Sequence, residues 1–194
     1  MNVEFMKTGL LVLALVLAST LCRAQVVVEG GYNMTKLTGS MYRFLPGFYL
    51  GAGYDMKVND CFYISPKLLF ASNGTITNLG NDVKTTSHVY MLELPILASF
   101  RMNVSEVGKI HFNVGPYIGL GLFGKSKVKQ DGKTIMSGNT LQHGDKRFDY
   151  GFRFGVAYEQ NNFIYSLNFK QSITDDDLWN SKSLGLSAGV GYRF

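Results

Sequence analysis

Three histidines, His88, His111 and His143, carry the side chains of this 194-residue chain best suited to proton transfer near neutral pH. His88 follows Ser87, the two groups a hydrolase or acyltransferase would pair as base and nucleophile. Both residues sit in an alternating segment, however, and adjacent side chains of an extended strand point to opposite faces, which keeps them from sharing a proton. His111 falls within "KIHFNVG", where a satisfied interior histidine is expected, and His143 stands beside Gly144 and Asp145 in a stretch that reads as a solvated turn. No metal-ligand spacing links the three. The glycine runs "GLGLFG" and "GVG" precede no helix, so they cannot cradle a phosphate. The expectation is a protein with no catalytic residues, no metal and no cofactor.

Charge offers a second kind of chemistry. Glu29, Lys67, Glu93, Arg101, Asp149, Arg153 and Lys170 all fall in phase on one side of alternating segments, and Asp55, His111, Glu159 and Arg193 share that side. Charges gathered in a narrow interior must pair, because each unpaired one would cost several kcal/mol, on the order of 2–5. A salt-bridged plug is therefore expected, with Glu93 partnered by Arg153, Lys67 or Lys170. Two further clusters lie between segments: the basic "KSKVKQDGK" (125 to 133), with Lys125, Lys127, Lys129 and Lys133, and the acidic "TDDDLWNSK" (174 to 182), with the only tryptophan, Trp179. The basic stretch lacks interleaved aromatics and its chain looks exported, so nucleic acid is not the expected partner.

The elements that position these residues are strands. "LLVLALVLAS" (10 to 19) follows Lys7 and precedes "CRAQ"; the run is too short to span a bilayer and reads as a signal peptide, residues 1–24, cleaved after Ala24, with Met6 the better initiator than Met1. Residues 25–194 then form one domain. Eight segments alternate with a period of two: 26 to 37, 46 to 58, 61 to 72, 87 to 101, 109 to 124, 147 to 159, 162 to 173 and 183 to 194. One face of each is bulky, as in Phe148, Tyr150, Phe152, Phe154, Val156 and Tyr158; the other holds the charges and many glycines.

A soluble barrel of the lipocalin type would put the bulky face inside. Eight strands enclose a space only just filled by side chains, so these crowded aromatic rows cannot all point inward, and a continuous outward apolar belt is tolerable only in lipid. The fold expected is all-β, an eight-stranded antiparallel up-and-down transmembrane β-barrel. Connection lengths agree: 38 to 45, 73 to 86, 125 to 146 and 174 to 182 are long, while 59 to 60, 102 to 108 and 160 to 161 are short. Outer-membrane barrels alternate in this way, with short turns in the periplasm, which places both termini there. The chain can then end in mid-strand, its last strand closing on the first and Tyr192 and Phe194 joining an aromatic girdle. Pro66, Pro95 and Pro116 remove ladder donors, so bulges or pairing gaps are expected beside them.

"YMLELPILASF" (90 to 100), "GPYIGLGL" (115 to 122), "FDYGFRFGVAYE" (148 to 159), the closing "GVGYRF" and the "AQ" at the cut together resemble the PorT-like outer-membrane β-barrel family of Bacteroidetes. The resemblance implies an outer-membrane barrel, and an ending in Tyr192 and Phe194 that resembles the signal read by the barrel insertion machinery. Residues and resemblance together leave a choice of roles. From the residues, one is an envelope protein of structural or interaction function, whose loops, through the four lysines and Trp179, meet outer-membrane lipid and lipopolysaccharide. The alternative is an accessory of protein export by type IX secretion, with secretion-system components as partners; a rim-active hydrolase ranks behind both.

Overall fold

The structure, a computed structural model, describes residues 25–78, 83–130, 133–139, 147–174 and 182–194. The expected leader, His143 and Trp179 lie outside these. Among the described residues nine strands follow one another: β1 Gln25–Leu37, β2 Tyr42–Lys57, β3 Phe62–Asn78, β4 Val83–Asn103, β5 Gly108–Gln130, β6 Lys133–Asn139, β7 Phe148–Gln160, β8 Phe163–Ser172 and β9 Ser183–Arg193. Every pairing is antiparallel, and eight strands close into a ring in the order β1-β2-β3-β4-β5-β7-β8-β9, with β9 returning to β1 from Val27↔Arg193 to Leu37↔Ser183. The wall is completed by the amide of Phe194, which donates to the Val26 carbonyl at 2.9 Å. Among the described residues no helix is long and apolar enough to cross a membrane.

The two faces separate as the alternation requires. Phe48, Leu50, Leu68, Ile96, Phe112, Phe152, Phe154, Leu167 and Val190 are exposed on the outside, while Glu29, Asp55, Glu93, Arg101, Arg153 and Lys170 are buried within. Glycines make the interior wide enough. Gly31 pairs with both Tyr49 and Gly189 in neighbouring strands, and the Tyr49 ring lies across the two glycines. A Cβ at Gly31 would stand 2.9 Å from Tyr49 Cε1, and one at Gly189 would run into the Tyr49 hydroxyl.

At one end the connections are short: 58–61, 104–107 and the two-residue turn Asn161–Asn162. Asn161 (φ 48°) and Asn162 (φ 72°) both adopt the left-handed conformation that a tight hairpin needs and that asparagine tolerates. Asn59 stabilises the first turn by accepting from the amides of Cys61 and Phe62 at 3.0 and 2.8 Å.

At the other end the strands run further than the alternation of bulky residues suggested. The stretch 73 to 86, expected as a loop, is mostly strand: threonine-rich runs carry β3 to Asn78 and begin β4 at Val83. The stretch 125 to 146 is corrected more fully. Lys125, Lys127 and Lys129 lie on β5, and Lys133 opens β6, a ninth strand that pairs with β5 outside the ring. Alternation persists there, with Ser126 and Val128 between the lysines, but no apolar belt marks it because neither face needs to meet hydrocarbon. β4 and β5 span 21 and 23 residues against 10 and 11 for β8 and β9, so the wall is tallest on the β4–β5 side.

The ladders are interrupted without a change of register beside Pro66, Pro95 and Pro116. A true bulge lies elsewhere: Tyr90 faces Phe123 and Met91 faces Gly121, leaving Leu122 without a partner on β4. Below it Ile118 and Leu120 point outward; above it the phase shifts and Phe123 and the three lysines do.

Gly189→Ala is expected to destabilise the barrel by about 1–3 kcal/mol through overpacking against Tyr49. Tyr49→Ala in the same chain should recover part of that loss, a non-additivity measurable by urea unfolding in lipid vesicles.

Candidate functional site

The interior is built from charges that reach over neighbouring strands. Glu93, on β4 and fully buried at 0% exposure, is its centre. Arg153 Nη2 on β7 donates to Glu93 Oε2 at 2.7 Å, and Lys170 on β8 donates to Oε1. Asn73 on β3 adds a third donor at 2.8 Å, and Asn33 on β1 donates in turn to Asn73 Oδ1 at 3.0 Å. Five strands thus meet around one carboxylate. Lys67 on β3 pairs instead with Glu29 on β1, at 2.6 Å.

Toward the short-turn end, Asp55 Oδ2 receives Arg101 at 2.6 Å and Arg193 at 3.0 Å, while Ser65 donates to Oδ1 at 2.5 Å. Arg193 also grips Glu159 through Nη1, and His111 Nε2 lies 2.9 Å from the same carboxylate. The Arg101 guanidinium stacks 3.8 Å from the centroid of the Tyr63 ring. Toward the tall end, Asp149 accepts from Tyr117 at 3.0 Å, from Ser172, and from Thr174 at 3.3 Å, and Lys170 sits over the Tyr117 ring.

Among the described residues, charge within the wall balances. Glu29, Asp55, Glu93, Asp149 and Glu159 face Lys67, Arg101, Arg153, Lys170 and Arg193, five against five, with His111 beside them. All seven of the residues expected in the interior network are there, and the register fixes their partners: Glu93 takes Arg153 and Lys170 together, and Lys67 goes elsewhere. Sequence reasoning overlooked Tyr49, Tyr63, Tyr117, Asn73 and Ser172, which contribute to the same interior. Their signal is phase: each stands in step with the charged row of its own strand, although the three tyrosines are as bulky as the residues of the opposite face.

The hydrolase reading loses its geometry. Ser87 Oγ is hydrogen-bonded to Ser126 Oγ at 2.8 Å, and His88, next in the strand, belongs to the opposite face, in register with Lys125. Among the described residues no group of His, Cys, Asp and Glu could hold a metal ion.

On the outside, the two ends differ. Phe163, Tyr192 and Phe194 form an edge-to-face row at the short-turn end, with centroids 5.2 and 4.9 Å apart. Higher up, Phe48, Phe70, Tyr90 and Phe123 make a band across β2 to β5, with successive centroids 6.3, 5.9 and 4.7 Å apart. Lys125, Lys127 and Lys129 stand exposed above this second band.

A closed antiparallel ring with an apolar exterior and a salt-bridged interior defines a transmembrane β-barrel. The chain belongs to the family described as outer membrane protein beta-barrel domain, whose model matches residues 19–194, and it is a small barrel of the bacterial outer membrane. Solved structures similar to it include Ail, the attachment invasion locus protein of Yersinia pestis (18% identity, 88% of this chain and 99% of that one, TM-score 0.47). Neisserial surface protein A is another (16%, 87% and 97%, 0.48), as is a major outer membrane protein from Thermus thermophilus (14%, 88% and 99%, 0.48). No curated protein matches the chain.

Glu93→Ala strands Arg153 and Lys170 without their carboxylate and should cost about 3–5 kcal/mol, the range for breaking a buried pair. The lipid-facing Leu68→Ala should cost clearly less, and urea midpoints of the two refolded variants compare them.

Proposed function

We propose that this protein is a closed envelope barrel, with a structural or interaction role carried by its tall end, and that it conducts nothing and catalyses nothing. The observation that carries the reading is the contrast between an interior tied shut by Glu93, Asp55 and Glu159 and an exterior that projects a long, lysine-bearing extension of β4, β5 and β6. On this reading the short turns and both termini face the periplasm, as in outer-membrane barrels generally. Outer-membrane lipid and lipopolysaccharide are the partners at the tall end. Tyr192 and Phe194, exposed at the closing edge, serve the insertion machinery as its recognition signal.

The orientation has a direct test in Cys61, which is free and exposed in the turn between β2 and β3. On intact cells a membrane-impermeant maleimide should label Ser137→Cys on β6 and leave Cys61 unlabelled; the reverse pattern would invert the barrel. In planar bilayers the purified protein should give no steady open-channel current, and a stable conductance would show that the paired interior does not close the lumen.

Protein export of the PorT-like kind is the second reading, supported by the motifs of β4, β5 and β7. Gentle detergent extraction separates the two, since an export accessory should bring other secretion components with it and a solitary barrel should elute alone.

A further inference from the structure

The bulge at Leu122 leaves Lys125, Lys127 and Lys129 on the same outward face as the aromatic band, directly above Phe123. β4 contributes to this face in register: His88 opposite Lys125, Thr86 opposite Lys127, and Lys84 opposite Lys129. β6 adds Asn139 and Ser137 beside Lys125 and Lys127. The four lysines are exposed, and two of them, Lys84 and Lys129, face one another, an arrangement that is unfavourable between like charges unless an anion joins it.

Among the described residues no carboxylate lies on this face. Glu29, Asp55, Glu93, Asp149 and Glu159 point into the barrel, and Asp60 and Glu106 lie in the short turns at the far end, which accounts for every acidic side chain among the described residues. Each lysine stands two residues above the last, about 7 Å along the strand and about 5 Å in height for a strand tilted near 40°. The ladder therefore climbs from the level of the aromatic band to roughly 15 Å above it. A single plane of head groups would meet only its first rung.

We infer that this face binds the phosphorylated head of an outer-leaflet glycolipid, its acyl chains packed on Phe70, Tyr90 and Phe123 and its phosphates and polar core rising along Lys125, Lys127, Lys129 and Lys84. The inference rests on the reading of the tall end as the exterior. Continuity selects the occupant: the cationic face and the aromatic band are one surface, so a ligand using both must stand in the membrane beside the barrel. Aromatic rings at the interface and lysines beyond it are the groups that acyl chains and phosphates respectively favour.

The test uses the full barrel in phosphatidylcholine nanodiscs, titrated with lipopolysaccharide or with the same material after enzymatic dephosphorylation. Wild type should prefer the phosphorylated form, and K125Q/K127Q should lose at least about tenfold in affinity, at roughly fivefold per lysine near a charged surface. K57Q/K109Q, which removes equal charge at the short-turn end, should bind as wild type does. Indifference to the phosphates, or equal loss in both double variants, would overturn the assignment, as would equally tight binding of a soluble sulfated polysaccharide with no lipid anchor. An unchanged K125Q/K127Q alongside Ser137→Cys that labels on intact cells would remove the ladder and leave the exterior role of the tall end standing.

Discussion

A peptide group in hydrocarbon has no solvent to bond with, so every amide and carbonyl of a membrane-crossing strand must find a partner in the wall itself. Eight strands of this chain satisfy that demand by returning β9 to β1, and the closure dictates nearly everything else. It fixes a narrow interior, which cannot hold the bulky row and so sends it outward. It also places whatever remains, glycines and charges, where they must accommodate and neutralise one another. The ion pairs are a consequence of the ring, and they in turn brace it: all but His111–Glu159 reach across at least one intervening strand.

The barrel was legible in the sequence wherever lipid imposes a contrast between faces. Phe152 beside Arg153, or Leu94 beside Glu93, announces which side meets hydrocarbon. Beyond the membrane that contrast fades, which is why Lys125, Lys127 and Lys129 read as a loop although they alternate with Ser126 and Val128 as strand residues do. Leu122 illustrates a second limit. A single unpaired residue inverts the phase of everything after it, and one strand read without its neighbours gives no sign that its partner has one residue fewer. Ion-pair partners were illegible for a related reason: Glu93, Lys67, Arg153 and Lys170 could be placed inside from their phase, but only the register of several strands together determines which of them are level.

The interior also shows how different residues solve one spatial problem. At the Gly31–Gly189 pair the wall gives up side chains so that the Tyr49 ring can lie flat across two strands. Around Glu93 the wall instead projects long cations inward, and the carboxylate gathers donors from β3, β7 and β8. Apolar filling and polar bracing thus share one interior.

Arg193 is the penultimate residue of the chain, and its guanidinium holds both Asp55 on β2 and Glu159 on β7. Without β9 the described wall would hold five inward carboxylates against four cations. Docking of the last strand therefore does two things at once, zipping the seam and discharging an electrostatic imbalance in the cavity. An unfinished or truncated product would retain surplus negative charge inside, which makes incomplete assembly energetically distinct from the finished cylinder.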